Sequence, residues 1–161
     1  MSNGRIYWLT GQPGHGKTFL GEQLTEFLKT ERRNWRRDVF YIDAETIDEV
    51  APTNQCILDE KNGDVVRHAQ MISAFLNNCD NDVVVSLISP FRDQREIFKE
   101  YMSETLVEIY VFNNDGRKMK LSHIDWYEEP TDNFISIDTT GVEPIDAYAN
   151  LIHQLRNEKL I

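Results

Sequence analysis

The chain has 161 residues, a length typical of one domain with a single hydrophobic core. Its 17 basic and 27 acidic side chains give a formal net charge of −10, which disfavours non-specific attraction to nucleic acid or anionic membranes. The two cysteines, Cys56 and Cys79, lack metal-ligand or redox spacing, and no apolar run is long enough to span a membrane. Because the N-terminus also lacks a signal-peptide pattern, we expect one cytoplasmic domain over residues 1–161.

The first predicted strand, residues 5–10, leads directly into a glycine-rich turn and then a helix over residues 16–32. The turn matches G-x-x-x-x-G-K-[ST], in which main-chain N–H groups and a helix N-terminus face phosphates. The predicted nucleotide site consists of Gly11, Gln12, Pro13, Gly14, His15, Gly16, Lys17 and Thr18. Lys17 is expected to contact the β- and γ-phosphates of ATP, and Thr18 to place its hydroxyl on Mg²⁺. His15 is expected to be an exposed residue of the turn.

The second predicted strand, Val39-Phe40-Tyr41-Ile42, ends at Asp43. Ligands gather at the carboxyl ends of strands in open α/β sheets, so Asp43 is expected near the phosphate loop. An acidic segment that includes Glu45 follows, and residues 51–63 read as an irregular connection because they contain proline, asparagine and glycine.

Apolar residues at helical spacing predict a helix over residues 64–77, and the third strand follows at residues 83–88. That strand leads into Ser89-Pro90-Phe91-Arg92, then a helix to about Ser103 and a fourth strand at residues 106–112.

Residues 113–132 are polar and broken by glycine and proline, which predicts a short lid-like loop. A fifth strand follows at residues 134–137. A closing helix from about Pro144 is expected to pack through Ile145, Tyr148, Ile152 and Leu155. Alternating strands and helices predict a three-layer α/β/α P-loop NTPase fold, similar to nucleoside kinases, with a five-stranded parallel sheet.

Two side chains are expected to meet the phosphate loop at the strand ends. Asp43 is a candidate to accept a hydroxyl proton or to hold the shell of Mg²⁺, and Arg92 to hold anions of a phosphate acceptor. No acidic residue ends the third strand and no N-K-x-D motif follows a late strand, so a small-substrate kinase fits better than an ATPase motor or a GTPase. The predicted catalytic residues are Lys17, Asp43 and Arg92, and the sequence leaves open whether Asp43 or Glu45 takes the proton.

Three further segments carry a family pattern in its order. Y-I-D-A-E at residues 41–45 stands where the family has L-D-G-D, and I-S-P-F-R-D-Q-R at residues 88–95 where it has I-S-P-Y-R-x-x-R. I-D-W-Y-E-E-P at residues 124–130 is similar to the family's G-I-D-x-x-Y-E-x-P. On these motifs the chain resembles the adenylyl-sulfate kinases, which phosphorylate the 3′-hydroxyl of adenylyl sulfate with ATP. The resemblance implies that Asp43 is the catalytic carboxylate and that Phe91 and Arg92 border the acceptor pocket.

The acceptor half departs from the family pattern. Asp48 stands where the family has the arginine that holds adenylyl sulfate, and Asp64 stands where it has an asparagine. Of the family's R-x-x-N-I-R-R signature only the last arginine remains, as Arg67, and the family's long lid is missing. A carboxylate in place of a cation disfavours a sulfate–phosphate group. We therefore expect a different, nucleotide-like alcohol as acceptor, bound with help from Glu45, Arg67, Phe91 and Arg92.

Several alternatives stay open on the sequence. The acceptor is adenylyl sulfate itself, a cytidine-type diphosphate, or a hydroxymethylated base in DNA of the kind that phages make. DNA would suit the cluster Arg32, Arg33, Arg36 and Arg37 with Trp35 among them, although the net charge argues against it. A nucleotide-binding module without catalysis is the alternative from another class. A homodimer is also carried as an expectation.

Overall fold

The computed structural model describes residues 4–31, 37–50, 63–115 and 123–161, with only the backbone at positions 48 and 50. Five strands form one sheet: β1 (Ile6–Thr10), β2 (Val39–Asp43), β3 (Asp82–Ser86), β4 (Leu106–Phe112) and β5 (Ile135–Asp138). Their order is β2-β3-β1-β4-β5, and every neighbouring pair is parallel.

Helices cover both faces of the sheet, which makes the predicted three-layer arrangement. They are α1 (Lys17–Glu31), α2 (Ala44–Val50), α3 (Asp64–Asn78), α4 (Arg92–Met102) and α5 (Pro144–Asn157), with a 3₁₀ turn at Ser103–Thr105. Helices α1 and α5 close one core cluster, which includes Tyr7, Leu9, Leu20, Leu24, Ile109, Leu151 and Leu155. Helices α2, α3 and α4 close the other, which includes Ile6, Trp8, Ile47, Val66, Val85, Phe98 and Met102. The predicted fold class is confirmed.

Strand β1 is central because it is apolar on both faces, as the sequence predicts. All five of its residues are buried. Successive side chains of a strand point to opposite faces, so Tyr7 and Leu9 enter one core while Ile6 and Trp8 enter the other. The phosphate loop therefore begins from the most rigidly packed strand of the sheet.

Three local expectations differ from the structure. Strand β3 ends at Ser86, two residues early; Leu87 and Ile88 still hydrogen-bond to the β1 side, and the chain then turns at Ser89, which has φ 49°. Helix α2 is not predicted from the sequence. Ile145 is 60% exposed, so the expectation that it packs α5 is wrong; Ala147 and Leu151 bury that face instead.

Several expectations lie outside the described residues. These are Cys56, most of the irregular connection, the middle of the lid-like loop, and the basic residues Arg32, Arg33 and Arg36 with Trp35. Arg37 is described, and its Nη2 donates to Asp80 Oδ1 at 2.8 Å. That ion pair holds Arg37 at the edge of the sheet where β2 and β3 begin, the opposite end from the phosphate loop.

Candidate functional site

The phosphate loop lies where the strand order of the sheet reverses. Strand β1 has β3 on one side and β4 on the other, and the chain leaves β1 for the loop at its carboxyl end. In open parallel sheets this crevice is where ligands bind, because the loops on either side of it run in opposite directions.

Glycine is required at the first position of the loop. Gly11 has φ 149°, and a Cβ built on it would lie 2.1 Å from the Val111 main-chain oxygen of β4. Gly14 and Gly16 have φ values of 75° and 101°, a backbone conformation that residues other than glycine rarely adopt. Positive φ at these positions is typical of loops whose main-chain N–H groups line an anion-binding concavity.

Two side-chain tethers hold the loop. The buried Lys17 Nζ donates to the Gln12 main-chain oxygen at 2.8 Å, across the loop's own concavity. On the other side Thr139 Oγ1, just after β5, donates to the His15 main-chain oxygen at 3.0 Å. His15 is only 5% exposed, so the expectation that it is an exposed turn residue is wrong.

The start of α1 packs closely on the ends of β2 and β3. Thr18 is exposed, and the Ser86 hydroxyl donates to the Lys17 main-chain oxygen at 3.1 Å. A Cβ on Gly21 would lie 2.2 Å from Ser86 Oγ and 2.9 Å from Tyr41 Cε2. Burial raises the pKa of Tyr41, although the neighbouring Ser86 and Thr18 hydroxyls lower it.

Asp43 lies at the carboxyl end of β2, as predicted, and it begins α2. Its Oδ1 accepts from the main-chain N and from Oγ1 of Thr46, both at 2.9 Å, which is the geometry of a helix N-cap. Asp43 pairs in register with Ser86, and Ser86 pairs in register with Leu9 of β1. The half-buried carboxylate thus lies two strands from β1, at the same carboxyl end of the sheet as the phosphate loop.

A turn with unusual backbone geometry follows β3. Ser89 is buried and has φ 49°, a conformation that a residue before proline rarely takes. Its Oγ accepts from the Trp8 indole N–H at 2.9 Å, and its main-chain oxygen accepts from Arg95 Nη1. Such strain is held in place by surrounding contacts and is common at functional sites. Sequence reasoning missed Ser89; its position before a proline at a strand end was the available signal.

Phe91 and Arg92 lie at the start of α4. The Phe91 ring stacks on Trp126, with centroids 5.7 Å apart and an interplanar angle of 25°. The main-chain N of Arg92 donates to Glu128 Oε2 at 2.7 Å, and its Nε donates to the Glu129 main-chain oxygen at 2.7 Å. One side of the guanidinium is therefore already engaged by the segment that follows the lid-like loop.

That segment, residues 124–130, has no regular secondary structure, yet it is fixed to the strand ends; we name it the docked segment. The Gln12 side chain exchanges two hydrogen bonds with the Ile124 main chain, at 2.8 and 2.9 Å. The Tyr127 hydroxyl lies 3.0 Å from Thr10 Oγ1, and the Glu128 N donates to the Pro90 oxygen at 2.9 Å. The predicted loop is irregular here, as expected, but it packs directly on the phosphate loop.

Arg95 joins the docked segment to the core. It is 3% exposed, its Nε donates to Glu108 Oε1 at 2.8 Å, and its Nη2 donates to the Glu128 main-chain oxygen at 2.6 Å. Glu108, on β4, also pairs with Lys99, so one buried carboxylate meets two cations. The sequence offered one signal for Arg95, its place three residues after Arg92 in the quoted motif.

The other predicted acceptor residues are more exposed. Glu45 is exposed in the first turn of α2. Arg67 is exposed on α3, and its Nη1 lies 3.5 Å from Asp64 Oδ1. Asp64 is the residue that replaces the family's asparagine, so the surviving arginine now faces a carboxylate on its own helix.

Within the described ranges, no three His, Cys, Asp or Glu side chains are grouped as a metal site. Also within those ranges, no helix is long and apolar enough to cross a membrane.

The sheet order, the glycine loop with its lysine, and the carboxylate at the end of β2 define a P-loop phosphotransferase fold. A family model described as adenylylsulphate kinase matches residues 3–138. The chain belongs to the adenylylsulphate kinase family, which confirms the predicted family, fold and enzyme class.

Three relatives indicate the range of this similarity. A cytidine diphosphoramidate kinase of Campylobacter jejuni is 28% identical over 148 residues, covering 89% of this chain and 83% of its own. The bifunctional enzyme NodQ of Rhizobium meliloti is 25% identical over 107 residues, covering 66% of this chain and 16% of NodQ. The Mycobacterium tuberculosis APS kinase CysC, solved with AMPPNP and APS, has a TM-score of 0.68 at 15% identity, covering 97% of this chain and 99% of CysC.

Proposed function

We propose that the protein transfers the γ-phosphate of ATP to an alcohol of a nucleotide-like acceptor. The observation that carries this proposal is a shared position in the sheet. The loop that contains Lys17 and the half-buried carboxylate of Asp43 both lie at the carboxyl ends of the strands. Phosphoryl transfer depends mainly on positioning and on neutralising charge, and this edge supplies amides, an ammonium and a carboxylate.

The donor half would be formed by the residues Gly11 to Thr18. Their main-chain N–H groups and the Lys17 ammonium bind the phosphates, and Lys17 leaves the Gln12 oxygen to do so. Thr18 and Asp43 are the side chains suited to Mg²⁺, since both offer oxygen and lie at the phosphate end of the site. When bound, Mg²⁺ neutralises charge that develops on the transferred group.

Asp43 would receive the proton of the acceptor hydroxyl. Its Oδ1 is occupied by Thr46, and in our proposal Oδ2 takes the proton. The acceptor oxygen forms a bond to the γ-phosphorus, the bond from that phosphorus to the bridging oxygen breaks, and ADP leaves. No further reactant is needed.

The acceptor side supports a molecule other than adenylyl sulfate. Arg67 faces Asp64 at 3.5 Å, and Arg92 is engaged by Glu128 and Glu129. The Arg67 cation is therefore paired with a carboxylate, the Nε of Arg92 is already used by a main-chain oxygen, and a carboxylate stands in sequence at position 48. These changed charges fit an acceptor whose anionic group differs from a sulfate–phosphate group.

A cytidine-type diphosphate is the first acceptor to test. The relative from Campylobacter jejuni is named for such a substrate and matches most of both chains. In our proposal, the stacked pair of Phe91 and Trp126 supplies an aromatic surface beside Arg92 on which a purine or a pyrimidine base can pack.

The experiment offers adenylyl sulfate, CDP and its phosphoramidate, several nucleosides, and hydroxymethylated DNA with ATP and Mg²⁺. Products are identified by mass spectrometry, and ADP release is measured in parallel. We expect transfer to a free cytidine-type diphosphate and none with the Lys17→Met variant. The absence of a phosphorylated product from every acceptor, with ATP still bound, would contradict the proposal and favour a silent nucleotide-binding module.

A further inference from the structure

Gln12 contacts both halves of the site through different groups. Its side-chain Nε2 donates to the Ile124 oxygen at 2.8 Å, and its Oε1 accepts from the Ile124 N at 2.9 Å. Its own main-chain oxygen accepts from Lys17 Nζ at 2.8 Å. One residue of the phosphate loop therefore holds the phosphate-binding ammonium and the first residue of the docked segment.

The docked segment leads from Gln12 to the acceptor side within a few residues. Trp126, two residues after Ile124, stacks on Phe91 at the start of α4. Glu128 and Glu129 then bind the main-chain N and the Nε of Arg92. A shift of Ile124 would therefore move the aromatic and cationic groups at the start of α4.

We propose that Gln12 is a positioning residue that couples ATP binding to the geometry of the acceptor site; this inference rests on the proposed function. When ATP binds, Lys17 moves from the Gln12 oxygen to the phosphates and the Gln12 peptide adjusts. The side-chain amide carries that adjustment to Ile124, and so to Trp126 and Arg92. Without the amide, ATP still binds, but the acceptor site no longer responds.

The chemistry of this position explains why an amide is needed. The Ile124 main chain presents one donor and one acceptor, and a glutamine side chain satisfies both with one planar group. Gln12 is 8% exposed, so few other partners can replace it. Methionine has a similar length and no such groups, so Gln12→Met removes the connection while keeping the volume.

The test uses AMPPNP and the fluorescence of Trp126, so it needs no knowledge of the acceptor. In the parent protein AMPPNP should change the emission, and Trp126→Phe should remove the change. Gln12→Met keeps the main-chain N–H of residue 12, so we expect calorimetry to show that it still binds AMPPNP; at saturating AMPPNP it should lose most of the emission change. Gln154→Met is the matched control, because the Gln154 side chain, on α5, donates to the Ser136 oxygen of β5 and to Asn150 Oδ1 of its own helix.

Each outcome decides the inference. It is overturned if the parent emission does not respond, if Gln12→Met keeps the response, or if Gln12→Met fails to bind AMPPNP. With an acceptor from the panel and saturating ATP, the loss of two hydrogen bonds should raise the acceptor KM about tenfold. Failure of the proposed function is a different result, since the parent protein would then transfer no phosphate.

Discussion

Asp43 shows how one side chain serves both the backbone and the site. Its Oδ1 caps α2 through the Thr46 N and hydroxyl, which fixes the carboxylate at the end of β2. The cap holds the proposed proton acceptor in place through a single residue, Thr46. Structure and chemistry at this position can therefore be separated by substitution.

Two variants of Asp43 should behave differently. Asparagine caps a helix about as well as aspartate, so Asp43→Asn should keep the parent melting temperature and lose about a hundredfold or more in turnover. Asp43→Ala should lose turnover and also about 1 kcal/mol of stability. Thermal unfolding and ADP release measure the two effects. Full turnover in Asp43→Asn would remove Asp43 from the chemistry.

At the scale of elements, the site depends on how closely α1 approaches β2 and β3. Gly21 permits this approach, because any Cβ there would meet Ser86 Oγ and Tyr41. Gly21→Ala should therefore destabilise the fold by about 1–3 kcal/mol through overpacking. Since Ser86 Oγ is the nearer atom, at 2.2 Å, Gly21→Ala with Ser86→Ala should recover part of the loss in urea unfolding. Equal stabilities for the single and double variants would show that this contact is not the cause.

The junction of α4 with β4 should tolerate the loss of one cation better than the other. Arg95 binds Glu108 and also the main-chain oxygens of Ser89 and Glu128, whereas Lys99 binds Glu108, Glu96 and the Asp132 oxygen. Arg95→Met should lower the free energy of unfolding by about 3 kcal/mol or more. Lys99→Met, the matched control, should lower it less, because Arg95 still compensates the buried carboxylate. Urea unfolding compares the two, and a larger effect of Lys99→Met would contradict this ranking.

At the scale of the whole molecule, the sequence predicts what depends on local pattern and misses what depends on distant contacts. The apolar run of β1 and the carboxylate at the end of β2 were both readable, because strand burial and strand order follow from residue types. Helix α2 could not be predicted from the sequence, since it has only seven residues and is stabilised by the Asp43 cap and burial of Ile47. The position of the docked segment could not be predicted either, because it depends on the contact between Gln12 and Ile124, which lie 112 positions apart.

The partly buried tyrosines around the site should make the whole fold sensitive to alkaline pH. Burial raises the pKa of Tyr127 to about 12, although the nearby Arg95 cation lowers it, and burial also raises the pKa of Tyr110 and Tyr41. Between the usual tyrosine pKa of about 10 and these raised values, the unfolded chain loses protons that the folded chain keeps. The free energy of unfolding should therefore fall as the pH rises from 10 toward 12, by up to about 1.4 kcal/mol per pH unit for each such group.

Tyr127→Phe should make this decline less steep by removing one of the groups. Its absolute stability at pH 8 should also fall by about 1 kcal/mol, because the hydrogen bond with Thr10 Oγ1 is lost. The control is Tyr101→Phe. Because Tyr101 is 74% exposed on α4, this substitution should leave the slope as it is in the parent. Urea unfolding at pH 8, 10 and 11 gives the three slopes. If the free energy of unfolding of Tyr127→Phe fell as steeply with pH as that of the parent, Tyr127 would not be a source of the alkaline sensitivity.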